Sequence, residues 1–375
     1  MALQQAGKDL PLVDDLRELF LHDRPMLDVR APIEFKEGAF PCSTNLPLMD
    51  DVDRDLIGKR YKQLGQDEAI ALGLERVSGD IKAGRVASWA EFVRQHPDGV
   101  LYCFRGGLRS RISQQWLFEQ TGIRYPRVNG GYKAMRRFLL EQLENLPSDF
   151  RPFVLSGRTG SGKTRFLRNF AQQIDLEGVA NHRGSAFGSQ PTPQPSQISF
   201  ENTLAIALLR KFHQAQTALL FEDESRMIGS VHLPETFFAA LGQAPLVLMQ
   251  VPDEERVEIS YQEYVVDTSA AFTALLGDAQ AGFAAFTAYL LGSLEKIQRR
   301  LGGVRYQQVR KLMQDALAIQ AADGSTEAHY PWVRFILLDY YDPMYDYQIS
   351  KKQERLVFTG SPDEVREYFA GQGIC

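Results

Sequence analysis

Hydrophobic and polar positions change period along this chain. Val100, Leu101 and Tyr102 form a short continuous apolar run that reads as a buried strand. Leu108, Ile112 and Trp116 then recur at four-residue spacing, as one helix face requires, and Gly122 ends that helix. A further strand around residues 125–128 leads through Gly130-Gly131 to a second helical face of Met135, Leu139, Leu143 and Leu146. Upstream, residues 12–20 read as a helix and 25–30 as a strand. Pro32, Gly38, Pro41 and Pro47 break the next stretch into turns, with one helical turn at 33–37. Residues 53–86 are helical, polar and interrupted by glycines, and no chemistry is read there. Residues 88–96 fit a helix with Ser88 as its N-cap. Strands alternating with helices predict a mainly parallel sheet covered on both faces.

The stretch LPSDFRP at 146–152 carries no period and reads as a domain boundary. Beyond it a buried strand (153–156) precedes a helix expected at 165–172, and apolar strands are expected at 218–221 and 246–251. Residues 181–202 hold three prolines and many polar residues, so they read as a long loop of the kind that usually carries function. Helical sequence runs from 254 to about 320. The apolar run VRFILLDYY is expected to be a strand within 333–348, running into a tyrosine-rich turn, DPMYDYQ, whose rings would stack on bases or pack. These elements predict two α/β domains: 1–147, and 148–375 with a helical insertion at about 254–330.

Composition narrows the setting. At 375 residues, with 44% hydrophobic and 24% charged content, the chain can bury two ordinary cores. The first twenty residues mix charge into their apolar positions, and the longest weakly polar run (281–292) is too short to span a bilayer. A cytoplasmic protein without a membrane partner is expected. Cys42, Cys103 and Cys375 are widely spaced and odd in number, which fits neither a disulfide framework nor a structural metal site. With a net charge of −5, any nucleic-acid surface must be a local patch.

Two stretches carry chemistry. In LYCFRGGLRS the strand delivers Cys103 into a loop of Arg105, Gly106, Gly107 and Arg109 ahead of a helix. Loop amides, a helix N-terminus and guanidinium charge are the surroundings that favour a reactive thiolate. The bland alternative is a small buried core residue. The second stretch, Gly157, Arg158, Thr159, Gly160, Ser161, Gly162, Lys163 and Thr164, matches G-x-x-x-x-G-K-[ST] in full, between a strand and a helix. Its amides would curl around phosphates, Lys163 would reach the outer ones, and Thr164 would ligate Mg²⁺. Asp223, then Glu222, at the end of a neighbouring strand, are the expected acids on the magnesium side. His182, Arg183 and Ser185 would hold an anion opposite this loop, unless they are only surface charges on a mobile lid. Lys296, Arg299, Arg300, Arg305, Arg310 and Lys311, with Tyr306 among them, would follow an RNA backbone unless they are only a solvated face.

Asp28-Val29-Arg30, Pro32, Glu34-Phe35, Gly38 and the cysteine loop together resemble a rhodanese domain, the fold of sulfurtransferases that carry sulfur as a cysteine persulfide. With the phosphate loop and the stretches NHRGSAFG, EDESRMIGS, RRLG and YYDPMYDYQ, nearly the whole chain resembles the bacterial tRNA 2-selenouridine synthase family. Cys42, in a turn, contributes nothing to the match. The resemblance implies an α/β architecture: an N-terminal rhodanese-like parallel-sheet domain followed by a P-loop NTPase-like domain. It implies a selenotransferase with an associated tRNA geranyltransferase activity, acting on wobble 2-thiouridine. Geranyl diphosphate would form an S-geranyl intermediate and selenophosphate would exchange that sulfur for selenium, with no tightly bound cofactor. Cys103 would carry selenium or attack an intermediate, while Phe104, Arg105, Gly106, Gly107, Arg109 and Ser110 would hold selenophosphate. The phosphate loop would take geranyl diphosphate or a nucleotide. The same residues leave two rivals: an ATP-dependent small-molecule kinase with an appended rhodanese, and a non-catalytic, nucleotide-gated module that binds persulfides.

Overall fold

The computed structural model describes residues 9–374, which fall into two compact units. The first runs to Asn145 and also takes Ser196–Gln214; the second comprises Leu146–Pro195 and the chain from Ala215 onward. A single division at 147/148 therefore needs correcting, because the helix Gln197–His213 clusters with the N-terminal unit. Its Arg210 donates to the Phe20 carbonyl, Asn202 donates to the Ala39 carbonyl at 2.9 Å, and Glu201 pairs with Arg136.

In the first unit, β1 (Leu12–Val13), β2 (Met26–Asp28), β3 (Ser43–Asn45), β4 (Val100–Tyr102) and β5 (Arg127–Val128) form one parallel sheet in the order β1-β5-β4-β2-β3. The chain lays β2 and β3 toward one edge, then returns to place β4 and β5 on the other side of β2. The carboxyl ends of β2 and β4 thus form the switch point at which open α/β sheets place their ligands. The helix expected at 12–20 begins only at Leu16, where the Asp15 side chain caps it, because Leu12 and Val13 pair with Arg127 and Val128. Ser88 caps nothing. It lies inside the helix Gly79–Gln95, bonded to the Gly84 carbonyl, and that helix buries Val86, Trp89, Ala90 and Val93 at helical spacing.

In the second unit, β6 (Arg151–Ser156), β7 (Ala218–Glu222), β10 (Leu246–Met249) and β11 (Leu356–Gly360) form a parallel sheet ordered β11-β10-β6-β7, with β8 (Met227–Ile228) and β9 (Val231–His232) as a separate hairpin. The expected helical region is present as Asp253–Tyr261, Thr268–Leu276, Ala279–Leu301 and Gly303–Asp323. The strand expected in 333–348 is not there. Tyr330–Phe335 and Asp342–Ser350 are α-helical, joined through a π-helical turn at Ile336–Tyr341. Trp332, Val333, Ile336, Leu337, Tyr340 and Tyr341 are buried at i, i+1, i+4, i+5 spacing in a helical core with Phe286 and Val309. A continuous apolar run fits a buried helix as well as a strand, and here the helix packing decides. The sheet takes its fourth strand from β11 instead, followed by the helix Pro362–Gly371, which a Ser361–Glu364 capping box starts.

Candidate active site

Cys103 follows β4 at the carboxyl edge of its sheet and is 2% exposed. Its thiol donates to Ser110 Oγ at 3.2 Å, and Ser110 Oγ in turn donates to the Gly107 carbonyl. The loop is held from outside by Tyr132 N and Lys133 N, which donate to the carbonyls of Cys103 and Phe104 at 2.9 Å, and by Arg127, which donates to the Gly106 carbonyl. Gly106 and Gly131 have φ of +63° and +56°, and a Cβ on Gly106 would stand 2.7 Å from Gly130 N. Only glycine lets these two turns lie against each other.

Arg109 is not available to hold a phosphate as expected. Its guanidinium binds Glu34 through two bonds of 2.5 and 3.0 Å. Burial raises the Glu34 carboxyl, but Arg109, the Ala31 amide and Arg54 together more than offset it and hold the group below its ordinary value. Arg105 is exposed, with its guanidinium toward the Phe104 ring. On the β2 side, Arg30 is buried in an ion pair with Asp28 at 2.6 Å and lies 3.8 Å from the Tyr132 ring centroid. Cys103, Phe104, Arg105, Gly107 and Arg109 line a cavity of about 880 Å³. Much of its wall comes from the helices Asp51–Leu64 and Gln66–Arg76, the region whose sequence suggests no chemistry.

The phosphate loop sits where the motif requires, between β6 and the short helix Lys163–Leu167. Gly160 and Gly162 have φ of +80° and +70°. Lys163 Nζ donates to the Gly157 carbonyl at 2.6 Å. Burial lowers its pKa, but Tyr345 and the carboxylates of Glu177, Glu224 and Asp223 more than offset this, so the ammonium form is favoured. Thr164 Oγ1 donates to Glu177, whose other carboxylate oxygen accepts from Gly184 N. Asp223, the first choice for a magnesium-side acid, is occupied: Lys352 binds both its oxygens at 2.7 and 2.8 Å, and Ser156 donates to it. A carboxylate spent on a lysine is a poor cation ligand. Glu222 is the better candidate. Its Oε1 is buried without a hydrogen-bond partner, and burial, then Glu177 and Asp175, push its pKa up to about 8. Thr164, Glu177 and Glu222 could accept a Mg²⁺ brought in with a diphosphate, which would satisfy that oxygen.

The tyrosine-rich segment, expected only to stack or pack, bears directly on this loop. Tyr345 OH accepts from Gly157 N at 2.8 Å, and Asp346 takes Arg158 in a two-pronged pair. Asp342 binds Arg256, which also donates to the Thr159 carbonyl. These partners lie nearly a hundred residues or more from the motif, beyond the reach of local pattern.

The loop at 181–189 is pinned rather than open. Arg183 donates to the Glu263 carbonyl inside the π-helical turn Gln262–Asp267, Ser185 Oγ accepts from Tyr264, and Ala186 N donates to Tyr341 OH. Arg183 and Ser185 therefore hold the loop in place, whereas the half-buried His182 has an Nδ1 without a partner. Arg299, Arg300, Arg305 and Lys311 are exposed, Arg310 is half-buried, and Lys296 reaches Ser189 Oγ at 3.5 Å. Tyr306 is 4% exposed within the helical core, so it cannot stack on a base. Cys42 donates to Asp23, while Cys375 lies outside the described residues. Among the described residues no helix is long and apolar enough to cross a membrane.

A phosphate-loop α/β unit in one chain with a second parallel α/β unit, whose buried cysteine ends the central strand, defines a two-unit phosphate-loop protein with a cysteine centre. A family model described as the tRNA 2-selenouridine synthase AAA domain matches residues 150–373. Relatives named tRNA 2-selenouridine synthase include that of Marinobacter nauticus, 51% identical over 96% of this chain and 97% of its own. The Bordetella bronchiseptica relative is 52% identical over 96% and 97%, and that of a Sulfurovum species 44% identical over 96% and 98%. The chain belongs to the tRNA 2-selenouridine synthase family. A solved chain titled as the N-terminal domain of an ATP/GTP binding protein from Clostridium difficile is 27% identical, covering 35% of this chain and 99% of its own. Its TM-score of 0.30 is too low to bear on the fold.

Proposed function

We propose that this chain replaces the sulfur of wobble 2-thiouridine in tRNA with selenium in two stages, using geranyl diphosphate and then selenophosphate. The observation that carries the reading is the pairing of a complete phosphate loop with a cysteine on the wall of a cavity large enough for an alkylated base. In this reading the first unit is rhodanese-like.

In the first stage the thiocarbonyl sulfur attacks C1 of geranyl diphosphate. The carbon–oxygen bond breaks, diphosphate leaves, and N3 of the base loses its proton. The loop amides of residues 157–164 and the Lys163 ammonium hold the diphosphate, which has the charge and geometry of a nucleotide tail. A Mg²⁺ held at Thr164, Glu177 and Glu222 would neutralise the departing diphosphate. In the second stage Cys103 acts as nucleophile. Its thiolate adds to C2 of the base, the bond from C2 to the geranylated sulfur breaks, and geranylthiol leaves with a proton. Selenium of selenophosphate then attacks C2 and returns the Cys103 thiolate. Water cleaves the selenium–phosphorus bond, releasing phosphate and returning a proton to N3. Alkylation matters because a geranylthiol departs readily where a bare thiocarbonyl sulfur does not. Loop amides from Phe104 to Ser110, with Arg105, provide the contacts for selenophosphate, and the exposed arginines near 299–305 give tRNA a place to lie.

The test is mass analysis of nucleosides from 2-thiouridine tRNA incubated with the protein. Geranyl diphosphate alone should give S-geranyl-2-thiouridine, and adding selenophosphate should convert it to 2-selenouridine. ATP turnover without any RNA product would favour the kinase reading and end this one.

A further inference from the structure

The first unit's cavity is built in a way that the cysteine chemistry alone does not explain. Ile57, Ile70 and Leu74 on the two helices of the 51–76 hairpin and Leu108, Ile112 and Trp116 on the helix Leu108–Thr121 all line it, with Cys103 between the loop and these walls. The hairpin helices pack chiefly on one another. Asp53 reaches Arg76 and Ile57 approaches Gly73, while Ile57, Ile70 and Leu74 are only half-buried. A volume of about 880 Å³ is far beyond a packing defect and sits at the upper end of small-molecule pockets, roughly 300–1,000 Å³.

Charge gathers among the same lining residues. Arg54, Lys59, Lys62 and Arg105 contribute cations, part of which Glu34 and Asp55 neutralise. An inner apolar wall with a cationic contribution fits an apolar chain carried on a phosphate-rich molecule. Selenophosphate, small and wholly polar, has no use for such a wall.

We infer that this cavity receives the geranyl chain on the sulfur of the tRNA base, laying the alkyl group along the 51–76 hairpin so that C2 of the base, which carries that sulfur, meets Cys103. The inference rests on the two-stage reading above and deepens it. It commits to the RNA-borne chain rather than to free geranyl diphosphate, because the carbon that reacts with Cys103 is in the base.

The test measures binding of the full-length protein to an anticodon stem-loop RNA carrying S-geranyl-2-thiouridine, S-methyl-2-thiouridine or 2-thiouridine, by fluorescence anisotropy. Wild type should prefer the geranyl over the methyl RNA by about tenfold or more, since several methylene groups leave water. Ile70→Trp, which fills the cavity, and Ile57→Asp, which makes its wall polar, should each abolish that preference. Both should bind 2-thiouridine RNA as wild type does, which also reports on folding, and either variant suffices if the other fails to fold. Equal affinity of wild type for geranyl and methyl RNA, or a preference that survives in the folded variants, would overturn the inference. So would stronger occupation by geranyl diphosphate, seen as its displacing geranyl RNA at concentrations below the RNA's own Kd. Nucleoside analysis separates the two levels. If wild type makes no S-geranyl product, the two-stage reading fails; if it makes the product without a geranyl preference, only the cavity assignment fails.

Discussion

His329 shows how strongly one buried side chain can depend on its proton. It is fully buried, its Nδ1 accepts from the Trp332 indole at 2.8 Å, and its Nε2 faces Gln320 Oε1 at 3.0 Å, an arrangement that suits only the neutral ring. Burial lowers its pKa from 6.5 to about 4. A group whose pKa is depressed by folding stabilises the fold above its unfolded value and loses that contribution as pH falls toward the folded one. The second unit should therefore lose about 2 kcal/mol between pH 7 and pH 5 through this residue. Thermal melts at the two pH values should show a smaller drop in Tm for His329→Gln than for wild type; equal drops would refute the role. The place of Cys103 was legible from its own neighbours, because an apolar strand running into glycines puts the residue at a strand end. The bond from Arg109 to Glu34 was not, since 75 residues separate partners that only the sheet brings together. Asp223 misled for the same reason: nothing near it announces Lys352.

At the scale of elements, alternation of strand and helix located β2, β4, β5, β6, β7 and β10, but took β1 for helix and β3 for turn, strands of two and three residues that show no period of their own. It also failed at Tyr330–Phe335 and the π-helical turn beyond it, where apolar residues run almost without a break and the exposed Arg334 and Asp339 are too few to mark the helical period. The helix Gln197–His213 was hidden differently, within a segment assigned to the other domain. It places Ile198 against Gly38 and Ile206 beside Leu19 and Phe20, contacts of roughly 1.5–3 kcal/mol for each side chain fully buried. A fragment of residues 1–147 should thus lack part of its own core. Circular dichroism should show no cooperative melt for that fragment alone, and a synthetic peptide of residues 196–214 should restore one. A cooperative melt unaffected by the peptide would show that the helix is dispensable.

For the molecule as a whole, the composition is that of an ordinary acidic protein, and nothing in its charge balance announces RNA. Function had to be read from two centres, each in its own unit: a cysteine at a sheet's switch point, beside a cavity with apolar walls, and a phosphate loop held by a tyrosine and two aspartates from one distant helix. The proposed division of labour makes these centres separable. The most direct measurement is nucleoside mass analysis of tRNA treated with Cys103→Ala and Lys163→Ala, each given geranyl diphosphate and selenophosphate. Cys103→Ala should accumulate S-geranyl-2-thiouridine and form no 2-selenouridine. Lys163→Ala should fail to geranylate, yet convert RNA supplied already geranylated to 2-selenouridine at close to the wild-type rate. Wild-type selenation by Cys103→Ala, or geranylation that persists in Lys163→Ala, would contradict the account.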